Sequence, residues 1–101
     1  MKTMQYEYKR KALVKIWGFY RNVAKKYKHT YDFRDMERNI RGAVLNGYLI
    51  ENNLFCREPT IGRWQKQGYH MAHSGKWYYA YTIDGDTITI QDACHELNMH
   101  D

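Results

Sequence analysis

The segment KWYYAYTIDGDTITIQDACHE, Lys76 to Glu96, restricts the possible folds more than any other part of the chain. Two runs rich in aromatic and β-branched residues flank Asp84-Gly85-Asp86, which is the composition of a tight hairpin. Side chains alternate along a strand, so Trp77, Tyr79, Tyr81 and Ile83 share one face and Tyr78, Ala80 and Thr82 the other. A two-residue loop of either Asp84-Gly85 or Gly85-Asp86 puts Ile88 and Ile90 with the Tyr81 and Ile83 row, and that row becomes the buried one. The same parity predicts Lys76 and His95 together on the opposite, less apolar face. They are direct partners with a Gly85-Asp86 loop, ~5 Å apart at Cβ, and diagonal neighbours with Asp84-Gly85, ~7 to 8 Å apart. Tyr78, Gln91 and His73 border the same face. An ammonium beside an imidazole lowers the histidine pKa, which favours a neutral His95 near pH 7. Taken singly, each of the two also reads as an ordinary strand end in water.

Upstream of the hairpin, Met4 to Tyr8 alternate as a short first strand. Leu13, Ile16, Trp17, Tyr20, Ala24 and Tyr27 then recur at helical spacing, with Lys11, Lys15, Arg21, Lys25 and Lys26 largely off that stripe. A second helix is expected from Thr30 or Asp32 through Phe33, Met36, Ile40 and Val44, with Gly47 as its C-terminal cap. Periodicity weakens over 48–62, where Pro59 and Asn52-Asn53 indicate a connection. Strands are expected at Gln65 to His73, Lys76 to Asp84 and Thr87 to Cys94. The expected fold class is therefore α+β: a strand, two antiparallel helices and an antiparallel meander, with Trp17, Tyr20, Ile40, Tyr81, Ile88 and Ile90 in the core.

With 101 residues and one proline, a single domain over 1–101 is expected. Charge is unevenly placed: Met1 to Lys28 holds nine Lys/Arg and one acid, whereas Asp84 to Asp101 holds five acids and no Lys/Arg. A basic amino-terminal third suits a polyanionic partner, either nucleic acid or an acidic protein segment, and equally a solvated cationic helix. Cys56 and Cys94 stand in no metal-ligand spacing, and no apolar leader is visible, so a reducing cytoplasm with both thiols free is expected. No apolar run approaches the ~20 residues that span a bilayer, so no membrane association is expected.

Several chemistries find no support in the sequence. A phosphate-binding glycine loop, a nucleophile elbow and paired glycosidase carboxylates are all missing from the pattern. His70 and His73 are three apart on an expected strand, which points their rings to opposite faces, and no metal site is expected. Arg63 and Lys66, near the start of the second expected strand, are candidate phosphate contacts.

The order of elements together with WYYAYTIDGDTITIQDACH resembles the RelE/ParE toxin superfamily, most closely its YoeB-like ribosome-dependent RNases. The likeness in motif runs over Gly68 to His95: Tyr79-Ala80-Tyr81-Thr82 for the strand, Asp84 to Asp86 for the acidic turn, Ile88 to Ile90 for the next strand, and His95 for the terminal His or Tyr. The resemblance implies a β-α-α-β-β-β fold and a type II toxin-antitoxin toxin that cuts mRNA on the ribosome without metal or other cofactor. By position it implies Lys76 as the charge-stabilising residue, although relatives often carry arginine there. His95 takes the proton-transfer role, and Glu58 is the nearest counterpart of a carboxylate base. Arg63, Lys66, His73 and Tyr78 are the expected RNA contacts, and an antitoxin protein and small homo- or hetero-oligomers are the expected associations. A ParE-like toxin acting on DNA gyrase, or a nucleic-acid-binding module without toxicity, are the alternatives.

Overall fold

The computed structural model describes residues 5–50 and 59–99. Strand β1 (Gln5–Tyr8) leads into helix α1 (Arg10–Lys26), followed by α2 (Phe33–Gly47), a four-residue helical turn α3 (Gly62–Gln65), and strands β2 (His70–Ser74), β3 (Trp77–Asp84) and β4 (Thr87–His95). A short 3-10 turn, Glu96–Asn98, closes the described part. The strands form one sheet in the order β1-β4-β3-β2. Among the described strands only the β1–β4 pair is parallel, and the fold is α+β with a mostly antiparallel sheet. No described helix is long and apolar enough to cross a membrane.

Local chemistry accounts for most element boundaries. Of the two candidate starts for α2, Asp32 is the one used: its carboxylate accepts from the Asp35 N–H at 2.9 Å, and Asp35 accepts from the Asp32 N–H at 3.2 Å. The hairpin loop is Gly85-Asp86, closed by the Asp84–Thr87 pair, and Gly85 alone in it has a positive φ, +61°, as a type II′ turn requires. The strand expected from Gln65 starts later, at His70. Residues 62–65 coil instead because Trp64 turns inward to be buried, and Gly68 at φ +72° then redirects the chain.

Gly47 has a different reason from the one its position suggests. It is the last residue of α2, without a left-handed φ, and serves close approach instead of capping. A Cβ there would overlap the Tyr8 hydroxyl and lie 2.9 Å from Ile90 Cδ1. That hydroxyl donates to the Val44 carbonyl at 2.8 Å, tying β1 to α2. Gly47→Ala is expected to cost about 1–3 kcal/mol of unfolding free energy in denaturant titration. Gly18→Ala, in α1 with open space around its Cα, should be neutral or stabilise by up to about 1 kcal/mol.

The sheet is apolar on both faces. Against α1 and α2 lie Tyr79, Tyr81, Ile88, Ile90, Ala93 and Trp77, meeting Ala12, Ile16, Ile40 and Ala43. On the other face Trp64 and Ile61 cover Met71, Ala80 and Cys94. Of the expected core, Ile40, Tyr81, Ile88 and Ile90 are buried. Tyr20 is half-buried because its hydroxyl stays at the rim, accepting from the Trp77 indole at 3.0 Å. Trp17 is 45% exposed, so its expected burial is corrected: it lines a surface groove between α1 and α2 with Phe33 and Val44.

One irregularity changes the register. From Asp84–Thr87 to Tyr81–Ile90 the strands pair as a Gly85-Asp86 loop dictates, but Ala80 then pairs with Asp92, leaving Gln91 as an extra residue in β4. Beyond this β-bulge every β4 side chain changes face relative to simple alternation. His95 is consequently opposite Trp77, on the helix-covered face, and not opposite Lys76. The expected Lys76–His95 pair on the open face is thereby overturned.

Candidate functional site

The bulge assembles a different constellation. Because β1 pairs with β4 only as far as Ile90, the rest of β4 has a free edge, and α1 passes beside it. There a cleft of about 120 Å³ is lined by Lys15 and Phe19 of α1, Arg63 of α3, Trp77 of β3, and Cys94 and His95 of β4. Four elements separated in sequence thus converge on the end of one strand.

His95 is held by aromatic contacts and one hydrogen bond. Its ring stacks on Phe19, centroids 4.0 Å apart and 11° from parallel, and meets Trp77 edge-on at 5.4 Å. Nδ1 accepts from the Leu97 N–H at 3.2 Å. With Nδ1 accepting, the neutral ring carries its proton on Nε2. Burial lowers the His95 pKa from the ordinary 6.5; Glu96 opposes this and Lys76 reinforces it. The imidazole is therefore neutral at pH 7 and presents an N–H donor at Nε2.

The lowered pKa has a consequence for stability. The unfolded chain binds a proton on this histidine more readily than the folded one, so stability is full above pH 6.5 and falls as pH drops from 6.5 toward the folded pKa. A plot of Tm against pH for the wild type is expected to decline more steeply over this range than that for His95→Gln. Equal slopes would show that the folded and unfolded pKa values coincide.

The cations of the cleft have fixed neighbours. The Arg63 guanidinium stands 3.6 Å from Cys94 Sγ and over the Trp64 ring at 5.9 Å. Burial raises the Cys94 pKa, with Arg63 and Lys15 pulling the other way, and the thiol is free and buried. The Lys15 ammonium lies 3.5 Å from Asp92, whose carboxylate is 1% exposed. Asp92 also accepts from the Trp64 indole N–H at 2.9 Å and faces Lys11 at 3.7 Å.

The residues singled out from sequence are dispersed around this cleft. Arg63 and His95 line it. Lys76 is exposed at the β2–β3 turn and borders a second cleft with Arg38, Asn39 and Asn46; Trp77 borders both clefts. Lys76 meets the His95 region through its backbone, its carbonyl accepting from the Glu96 N–H at 2.8 Å. Lys66 borders a shallow groove with Arg63 and Gln67. His73 and Tyr78 are cross-strand partners on the α3-covered face, stacked with centroids 4.2 Å apart. Glu58 and Cys56 lie outside the described residues. Among the described residues no group of three His, Cys, Asp or Glu side chains is placed to hold a metal ion.

Lys15, Phe19 and Asp92 were not singled out from sequence. Spacing does carry a trace of the first and third: Lys11 and Lys15 are like charges one helical turn apart, an arrangement that calls for a counter-ion. Phe19 left no trace, because its role depends on where the bulge sends His95. Compared with protein-family models, curated proteins and solved structures, the chain gives no match.

Proposed function

We propose that this chain is a toxin of the RelE/ParE type that cuts translated mRNA at the cleft beside the end of β4. The observation that carries the reading is the gathering of Lys15, Arg63 and a neutral His95 in that one cleft. The element order, apart from the short α3, is compatible with the family's β-α-α-β-β-β arrangement.

In the proposed reaction the 2′-oxygen of a ribose attacks the adjacent phosphorus as the bond to the 5′-oxygen breaks. The products are a 2′,3′-cyclic phosphate and a 5′-hydroxyl, the leaving 5′-oxygen taking its proton from water. Negative charge grows on the phosphoryl oxygens, and Lys15 and Arg63 supply fixed positive charge against it. His95 donates a hydrogen bond from Nε2. That role replaces the proton transfer expected of it, because the Leu97 N–H occupies Nδ1 and burial disfavours the imidazolium. Glu58 remains the nearest counterpart of the family's base, which takes the 2′-hydroxyl proton. Lys76 moves from catalysis to strand binding, along with Lys66 and the cationic residues of α1. The partner is an antitoxin bearing an acidic, amphipathic segment suited to the basic helix.

Induced expression tests the reading. Growth arrest with cleaved mRNA supports it, whereas arrest with intact mRNA and inhibited gyrase would favour the ParE-like alternative.

A further inference from the structure

Asp92 is the most buried acid in the described chain, and the proposed chemistry does not use it directly. Each of its oxygens is engaged. Oδ2 accepts from the Trp64 indole at 2.9 Å and lies 3.7 Å from the Lys11 ammonium. Oδ1 accepts from the Ala93 N–H at 2.9 Å and lies 3.5 Å from the Lys15 ammonium. A buried carboxylate costs stability unless paired and hydrogen-bonded, and these four contacts meet that need. They also place demands on the partners: a lysine with many rotamers is tied at its far end to a point that cannot move. Lys15 lines the cleft and is 43% exposed, so its ammonium is restrained on one side and open to the cleft and solvent on the other. Lys11 is 65% exposed, is not among the residues lining the cleft, and makes the longer contact.

We infer that Asp92 is a positioning residue, which holds the Lys15 ammonium at the cleft so that a phosphodiester meets a preplaced cation. This rests on the proposed RNA-cleaving role for its functional consequence, but its physical content is separate. Preplacement lowers the cost of reorganisation when charge develops and acts on the chemical step more than on binding. Asp92 also offsets part of the positive charge of Lys11 and Lys15. Removing it makes the cleft more attractive to RNA while leaving Lys15 less well placed.

The test is Asp92→Asn, which keeps an acceptor for the Trp64 indole and removes the charge. Two readouts are taken on the full chain. In the first, the Lys15 ammonium is followed by nitrogen-15 NMR. A slowly exchanging, restrained signal is expected in the wild type at both low and high salt, and its loss is expected in Asp92→Asn with the Trp64 indole signal retained. In the second, cleavage of translated mRNA should fall on the order of 10- to 100-fold in kcat with KM unchanged or lower. A purely structural role would not separate the two constants, and Lys11→Met, which removes one strand-binding cation outside the cleft, should raise KM and leave kcat unchanged. The positioning claim is overturned if Lys15 is equally restrained in Asp92→Asn, or if kcat holds while Lys15→Met lowers it. If Asp92→Asn does not fold, the wild-type signal decides: a pair on the surface loses its restraint at high salt, and that loss would overturn the claim. If the wild type cuts no RNA, the functional reading fails, and the NMR result alone decides whether Asp92 fixes Lys15.

Discussion

His95→Ala is expected to cut ribosome-bound mRNA on the order of 10²- to 10³-fold more slowly than the wild type, the usual consequence of removing one preplaced hydrogen-bond donor. The loss should fall on kcat, because the interaction strengthens as charge reaches the phosphoryl oxygens. His95 is 6% exposed and its ring is stacked on Phe19, so the alanine variant also leaves a void and loses stability. Separating the effects calls for His95→Gln, which keeps a donor and much of the volume. It should recover part of the rate and most of the Tm. Full activity in a folded His95→Ala would reduce the histidine to a packing residue.

Trp64→Ala is expected to produce the largest loss of stability of any single substitution considered, about 3–5 kcal/mol in denaturant titration. The indole is 1% exposed and, with Ile61, forms the lid over Met71, Ala80 and Cys94. Its N–H is also the only neutral side-chain donor recorded on the buried Asp92 carboxylate among the described residues. Truncation therefore combines a cavity with an under-paired charge, and the two costs add to each other. Trp64→Phe separates them: it retains most of the apolar volume, so its loss reports chiefly the hydrogen bond. A cost below about 1 kcal/mol for Trp64→Ala would mean that the α3-covered face is not a second core.

Much of the fold was legible because it rests on local rules. Alternation through Trp77, Tyr79 and Tyr81, a two-residue loop within Asp84 to Asp86, and the helical stripes through Ile16 in α1 and Ile40 in α2 follow from backbone geometry, and the structure reproduces them; Ile83, expected in the buried row, is instead 52% exposed beside the turn. Burial of Ile88 and Ile90 was legible for the same reason. The site was less legible because it depends on a single inserted residue. Gln91 has no feature that marks it as the bulge; its amide merely donates to Thr82 Oγ1 at 3.0 Å. Yet that one residue decides which face His95 occupies, since strand parity carries through every position beyond it. Trp64 was missed for a related reason. Polar neighbours on either side read as a strand edge, whereas the buried carboxylate that attracts its indole is 28 residues away in sequence. Trp17 erred in the other direction: helical spacing placed it on the apolar stripe, but a stripe wider than its neighbours can cover leaves its rim in solvent.

The register also changes which cation the proposed reaction would use. The family resemblance gave that role to Lys76, which strand parity placed beside His95, while in the folded chain Lys15 and Arg63 line the cleft with the histidine. The two assignments differ in what an alanine substitution does, and this makes the central claim directly measurable. Purified wild-type protein, Lys15→Ala and Lys76→Ala are incubated with ribosomes translating a defined mRNA, and the rate and chemistry of cleavage are read from the new RNA ends. The wild type should produce 2′,3′-cyclic phosphate and 5′-hydroxyl ends, Lys15→Ala should be slower on the order of 10²-fold, and Lys76→Ala should stay within a few-fold of the wild type. Cleavage lost with Lys76→Ala and kept with Lys15→Ala, or no cleavage by the wild type, would contradict the assignment of the reaction to the β4 cleft.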